Sequence, residues 1–207
     1  MIKEKQETCM QMDEIKIRDG VLFYDEHFYK NDEADQLYQL LENEIEWEQE
    51  ELKIFGKWYK VPRKTAWYAD KGVRYKYSGV VHEPIPWTAG LLEMKAKIEA
   101  YTGHSFNSVL LNWYRNGSDK MGWHADNESE LGENPIIASL SFGETRRFDL
   151  RYQADKTEPK VQLHLAHGSL LIMGGTTQHF WQHQIPVQKK IEKGRINLTF
   201  RLIKSRT

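Results

Sequence analysis

At 207 residues, with 40% hydrophobic and 12% aromatic side chains, the chain has the length and apolar content of one folded domain, which excludes a disordered polypeptide. Its formal net charge of -1 excludes a global basic field, so any attraction to nucleic acid has to be local. A lone cysteine, Cys9, excludes an internal disulfide framework. No apolar run approaches the ~20 residues of a membrane helix, and the charged N-terminus lacks the apolar region of a secretory signal. An intracellular protein with no membrane association is therefore expected, cytoplasmic or, in a eukaryote, nuclear.

Residues 1–18 read as a tail or peripheral strand. "NDEADQLYQLLENEIEW", Asn31 to Trp47, reads as a helix. It opens on Asn and acidic residues, which suit a helix N-terminus. Leu37, Leu40, Leu41 and Ile45 recur at helical spacing. A second helix is predicted from Pro86 to Tyr101, with Gly103 just past its end. Between the helices, "KIFGKWYKVPRK" carries five basic residues, no acidic ones, and Phe55, Trp58 and Tyr59. Basic residues attract phosphate and aromatic rings stack on bases. "RYKYSG" alternates, placing Tyr75 and Tyr77 on one face.

After Gly103 the texture changes to short runs rich in β-branched, aromatic and leucine residues, punctuated by Gly, Asn, Asp and Pro. The predicted class is α+β, mainly β: a sandwich, barrel or jelly roll over 105–207, preceded over 19–104 by helices and a substrate-facing lobe, in one compact domain.

Two constellations in the β-region carry chemistry. "HAD" places His124 and Asp126 two apart, on one face of an extended segment, where both could grip one ion. A third ligand completing a facial triad leaves positions open for cosubstrate and oxygen on non-haem Fe(II). His179 and His183 in "QHFWQHQIP" compete for that role; His164 and His167 read as surface or hydrogen-bonded core histidines. The second constellation is "RINLTFR". Arg195, Asn197, Thr199 and Arg201 alternate with Ile196, Leu198 and Phe200. The pattern suits an edge strand wet on one side, or an anion site in which guanidinium groups hold carboxylates bidentately.

These motifs together resemble the AlkB family of Fe(II)- and 2-oxoglutarate-dependent dioxygenases. The carriers are "NWY" from Asn112, "HAD", "PIIASLSFG", "HGSLLIM", "HQIPVQKK" and "RINLTFR", and the likeness runs from about residue 54 to 204. It implies a double-stranded β-helix (jelly-roll) core over 105–207 with a nucleotide-recognition lid within 19–104, and Fe(II) and 2-oxoglutarate as cofactors with O2 as cosubstrate. It implies that His183 rather than His179 joins His124 and Asp126 as metal ligand. Asn112, Tyr114, Arg195, Asn197, Thr199 and Arg201 match residues around 2-oxoglutarate, with Arg195 at its far carboxylate and Arg201 nearer the metal.

The resemblance is greatest to the nucleic-acid repair members, above all the duplex-preferring one. On that basis Phe55, Gly56 and Lys57 form a tip whose ring enters the base stack. Arg63, Tyr75, Lys76, Tyr77, Asn127 and Glu128 are further substrate contacts. Asn127 stands where these relatives tend to have Asp, and Tyr77 where the duplex-preferring member has Phe. The implied activity is oxidative removal of N-methyl groups from 1-methyladenine and 3-methylcytosine in DNA, releasing formaldehyde and succinate, by a monomer acting on a flipped base. The same chemistry on RNA, and a non-catalytic nucleic-acid-binding jelly roll, are the alternatives.

Overall fold

The computed structural model describes residues 12–54, 56–73, 75–77, 80–82 and 84–204, with the backbone alone at 54, 75–77 and 80–82. The described residues open with a hairpin of β1 (Asp13–Ile17) and β2 (Gly20–Asp25), followed by helix α1 (Asn31–Glu44). Strands β3 (Glu51–Ile54) and β4 (Lys57–Lys60) form a separate two-stranded hairpin; β5 (Lys64–Ala69) follows, then a second small hairpin of β6 (Tyr75–Tyr77) and β7 (Val80–His82). Helix α2 (Ala89–Thr102) leads into β8 (Ser108–Tyr114), β9 (Met121–His124), β10 (Ile137–Gly143), β11 (Arg146–Tyr152), β12 (Val161–Leu165) and β13 (Ser169–Gly174). A four-residue helix, α3 (Thr177–Phe180), turns the chain into β14 (Trp181–Ile185), and β15 (Arg195–Arg201) completes it.

The strands assemble into two facing sheets, as the sequence predicts for a jelly roll. The larger has seven strands in the order β1-β2-β13-β10-β15-β8-β5, and the smaller four in the order β12-β11-β14-β9. All pairings in both sheets are antiparallel. Three strands of the larger sheet, β1, β2 and β5, come from before residue 105, so the N-terminal half completes the sheet.

The period of two in the sequence sorts side chains between two layers. On β15, Ile196, Leu198 and Phe200 join a core with Leu41 of α1 and Leu91 and Ile98 of α2. On β8, Val109 and Leu111 do the same, and on β10, Ala138, Leu140 and Phe142. These helices thus cover the outer face of the larger sheet. The opposite face meets the smaller sheet, where Leu22, Ile137, Leu171, Phe148, Leu150 and Trp181 pack together. Truncating a fully buried ring such as Phe200 costs about 3–5 kcal/mol, from lost transfer energy and the cavity left behind.

Helix α1 ends three residues before the predicted Trp47: the chain is extended from Ile45, and Trp47 folds back to donate from Nε1 to the Leu41 carbonyl at 3.1 Å. Helix α2 starts at Ala89 rather than Pro86, because Thr88 is its cap and accepts from the Leu91 amide. Gly103 closes it in the left-handed region at φ 71°, as its position past the predicted end implies. Phe55 lies outside the described residues, as do Cys9 and the rest of 1–11. Tyr75, Lys76 and Tyr77 fall on β6, with their side chains outside the description.

Candidate metal and cosubstrate site

β9 and β14 are neighbours, and their register sets His124 directly opposite His183, with ring centroids 4.2 Å apart. Asp126 follows two residues past the end of β9. The result is a cluster in which ligand atoms of His124, Asp126 and His183 all lie within 4.8 Å of one another. Phe148 of β11 stacks on the His183 ring at 5.1 Å and covers its buried side.

The donor set fits a metal on two further observations. His124 Nδ1 donates to the Gly122 carbonyl at 2.8 Å, which leaves Nε2 with a free lone pair. His183 is fully buried. Its pKa is pushed down to about 3, first by burial and then by the neighbouring His124, so the ring is neutral at physiological pH. Burial by itself raises the Asp126 carboxyl; nearby positive charge, that of Arg201 above all, outweighs it and holds the group at about 2. One carboxylate and two imidazoles are the ligand chemistry a divalent iron centre takes.

His179 has another task. Its Nε2 lies against the Glu133 carbonyl and, at 3.2 Å, Asn134 Oδ1, so it ties α3 to the loop after Asp126. His167 accepts from the Gly143 amide through Nδ1 at 2.8 Å, and His164 is exposed on β12.

The polar face of β15 points into the cavity beside the triad. Cross-strand register sets Arg195 opposite Tyr114 and Asn197 opposite Asn112 of β8. All seven residues of β15 are buried. The strand is central, between β10 and β8, so the edge-strand reading of the same alternation falls away. Arg195 is 1% exposed; its Nη2 donates to Ser141 Oγ at 2.9 Å, while Nε and Nη1 are buried with no acceptor in hydrogen-bonding geometry among the described residues. Burial lowers its pKa to about 10, with the Tyr114 hydroxyl opposing that fall, so it stays cationic. A buried guanidinium with two unpaired donors has a strong need for an anionic acceptor. A carboxylate of 2-oxoglutarate fits that need.

Arg201 stands at the other end of the strand and donates from Nη2 to Asp126 Oδ2 at 2.9 Å. Asn197 is tied down internally, with Nδ2 donating to Ser139 Oγ and the Leu140 carbonyl, and Oδ1 accepting from Thr199 Oγ1. It holds the strand's polar face in shape. Asn112 Oδ1 accepts from Arg63 Nε at 2.6 Å. Arg63, assigned from the sequence to the basic nucleic-acid surface, is only 6% exposed, because it turns inward to this buried amide. Gly56 and Lys57 are exposed at the β3–β4 turn, Asn127 is exposed, and Glu128 lines the cavity by the triad.

Several residues of the site are not singled out by the sequence reading. Ser139 and Ser141 alternate with apolar residues in "PIIASLSFG", a pattern that could have marked them. Gln178, whose side chain reaches the Asp126 amide from α3, has no such pattern; its partner Met173 on β13 ends the "HGSLLIM" run. Arg146 is fully buried and staples the β8–β9 loop to the segment after β14, donating to the Asn116, Asp119 and Pro186 carbonyls. Gly117 lies in the same staple, where an added Cβ would fall 1.9 Å from the Gln188 carbonyl oxygen.

Two facing antiparallel sheets with a His-Asp-His cluster and a buried cationic strand between them define an oxygenase fold and site. The model of the 2OG-Fe(II) oxygenase superfamily matches residues 20–201, and the chain belongs to that superfamily, within its AlkB family. It is 43% identical over 180 residues to the human (Homo sapiens) DNA oxidative demethylase ALKBH2, covering 83% of this chain and 69% of that one. It is 44% identical over 179 residues to the Bos taurus alpha-ketoglutarate-dependent dioxygenase alkB homolog 3, covering 83% and 62%. The Arabidopsis thaliana ALKBH2 is 35% identical over 207 residues, covering 88% and 66%. The chain thus spans about two thirds of the length of these relatives. A solved structure, that of OsALKBH1, superposes with a TM-score of 0.60 at 18% identity, covering 92% of this chain and 100% of that one; the likeness is one of fold. No helix among the described residues is long and apolar enough to cross a membrane.

Proposed function

We propose that this chain is an Fe(II)- and 2-oxoglutarate-dependent oxygenase that removes N-methyl groups from nucleobases, with alkylated DNA as its substrate. The observation that carries the reading is the juxtaposition of the His124, Asp126 and His183 ligand atoms with the two unpaired donors of Arg195 in one cavity. The relatives named as DNA oxidative demethylases supply the substrate class.

Bound iron with 2-oxoglutarate and O2 would supply the C–H oxidation, with succinate and formaldehyde as products. The protein's part is binding and orientation. His124, Asp126 and His183 would hold the metal. Arg195 would pair with the far carboxylate, and Tyr114 and Asn112 would flank the cosubstrate. Arg201 keeps Asp126 ionised and aimed. Glu128 lies at the cavity wall, where a carboxylate can accept from an exocyclic amine.

The β3–β4 hairpin would act as the recognition lid. Lys53, Lys57 and Lys60 are exposed on it, with Trp58 65% and Tyr59 51% exposed. Large exposed rings beside lysines suit bases and phosphates. A base alkylated on its Watson–Crick edge pairs poorly and is extruded at lower cost, which favours damaged sites before any pocket contact forms. Phe55, which falls between β3 and β4 in the sequence, would fill the space left in the stack.

The test incubates the protein with Fe(II), 2-oxoglutarate, ascorbate and oligonucleotides carrying 1-methyladenine or 3-methylcytosine, as DNA and RNA, single- and double-stranded. Formaldehyde release with DNA is expected. Release with RNA alone would move the substrate, and no release with any of them would overturn the reading.

A further inference from the structure

Asp126 is a ligand whose backbone lies outside the sheet. The β9–β14 ladder ends at the His124–His183 pair, two residues earlier. Yet Asp126 is 4% exposed, so its amide needs an acceptor or pays for burial without one. That acceptor is a side chain: Gln178 Oε1, at 2.9 Å, from a residue 52 positions away. Gln178 is itself 1% exposed. Its other end is also engaged, since Nε2 donates to Met173 Sδ at 3.6 Å. The sulfur takes the donor end of the amide and so aims the acceptor end at Asp126.

The helix that carries Gln178 is anchored on both sides of it. Thr177 Oγ1 accepts from the Val21 amide at 2.8 Å and lies 2.7 Å from the Gly174 carbonyl, to which it donates. His179 grips the Glu133–Asn134 segment. Helix α3 then runs without a break into β14, which carries His183. One short element therefore fixes one ligand through the backbone of its own strand and a second through a buried amide.

We propose that Gln178 is a positioning residue of the metal centre: by accepting the Asp126 amide it holds that carboxylate in register with His124 and His183, doing from α3 what a strand partner would otherwise do. The inference rests on the triad reading above. Arg201 holds Asp126 by its carboxylate and Gln178 by its main chain, so the residue is fixed at two points. With the amide released, the segment after His124 can rotate about its backbone while the Arg201 pair persists. The metal then sees two good ligands and one misplaced one. Partners behind a ligand of this kind typically affect metal affinity by about tenfold to a hundredfold.

The experiment measures Mn(II) affinity of the metal-free chain by calorimetry, for the wild type, Gln178→Leu and Gln178→Glu, well below each apo melting temperature. Gln178→Leu keeps the volume and removes the acceptor; it is expected to weaken Mn(II) about tenfold to a hundredfold. Gln178→Glu restores an acceptor oxygen and is expected to recover most of the affinity. A filler role would lower the melting temperature of Gln178→Leu and leave its Mn(II) affinity unchanged, which would overturn the proposal, as would a glutamate variant no better than the leucine one. Absence of Mn(II) binding by the wild type would instead overturn the triad reading. Should Gln178→Leu not fold, amide exchange of the wild-type apo chain decides the matter: protection at Asp126 supports the contact, and free exchange there removes it.

Discussion

Arg201 Nη2 donates to Asp126 Oδ2 at 2.9 Å, and both side chains are buried, at 10% and 5% exposure. One residue of the cationic strand therefore serves the metal triad directly, so the cosubstrate strand and the ligand cluster form one electrostatic unit. The pair also explains why a fully buried aspartate stays ionised: burial alone would favour the neutral acid.

Removing the arginine leaves that carboxylate buried among apolar and imidazole groups. Arg201→Met is expected to destabilise the metal-free protein by about 3–5 kcal/mol, the usual cost of orphaning one member of a buried pair. Chemical denaturation of the apo protein measures it. Added divalent metal should restore part of the loss in the variant, because the ion replaces the missing positive charge. A variant as stable as the wild type would show that the pair contributes nothing.

Arg195 carries a different expectation, because its buried guanidinium lines the cavity. Arg195→Lys keeps a charge but not the fork, and Arg195→Met keeps neither. Each hydrogen bond to a charged group is worth about 1.5–3 kcal/mol, so Arg195→Met should raise the KM for 2-oxoglutarate by about tenfold or more, with lysine between the two. The KM for the oligonucleotide should stay put. An equal rise in both would place Arg195 outside the cosubstrate site.

The two histidines of "QHFWQH" separate cleanly. His183→Ala is expected to abolish turnover and Fe(II) binding, since it deletes the ligand that the β9–β14 ladder sets opposite His124. His179→Ala should keep Fe(II) binding and lose only the tie to the Glu133–Asn134 loop. Iron titration under anaerobic conditions, read by the visible band of the 2-oxoglutarate complex, distinguishes them. Loss of the band in His179→Ala with retention in His183→Ala would reverse the assignment.

Much of this is legible in the sequence. The alternation of "RINLTFR" contains the whole division of β15, with Ile196, Leu198 and Phe200 toward the helices and four polar residues toward the cavity. The alternation could not say that the strand is central, because a period of two is the same at an edge and in the middle. Likewise, spacing left His179 and His183 equivalent, and the resemblance chose between them. The physical reason is cross-strand register with His124, which depends on a partner strand about 60 residues away in sequence. Arg63 misleads for a related reason. Its neighbours Lys57, Lys60 and Lys64 suggest a solvated basic face, but Asn112 of β8 takes its Nε and draws it inside. Gln178 has no local signature, since its role exists only once α3 packs over the Asp126 segment.

Acid should weaken the loop staple beside the site. Asp119 binds Arg115 through both carboxylate oxygens, at 2.7 and 2.9 Å, and also accepts the Arg115 amide. Burial raises its pKa, but these bonds outweigh it and leave the carboxyl below 3.8. A folded pKa depressed below the unfolded one adds stability above the unfolded value, and that stability is lost as pH falls through the folded one. The difference in unfolding free energy between wild type and Asp119→Asn should therefore be constant from neutrality down to about pH 5 and shrink below pH 4. A gap that stays level down to the acid transition would remove the ion pair as its source.

The hairpin makes the last separation, between electrostatic and stacking contributions to nucleic-acid binding. Lys57 is exposed beside the tip, and a lysine on a phosphate acts mainly through counterion release. Lys57→Ala should weaken binding to any sequence alike and reduce the slope of log affinity against log salt by about 1. Trp58, with Lys53 5.7 Å from its ring centroid, presents a flat face instead. A stacked ring contributes about 1–3 kcal/mol per base, so Trp58→Ala should weaken binding about fivefold or more and leave the salt slope unchanged. Phe55→Ala should cost more on duplex than on single strands, because only the duplex has a stack to refill. Fluorescence anisotropy with one methylated oligonucleotide, single- and double-stranded across a salt series, reads all three variants. Identical salt slopes for Lys57→Ala and wild type would mean that the nucleic acid passes elsewhere, and the lid would lose its assignment while the metal site kept its own.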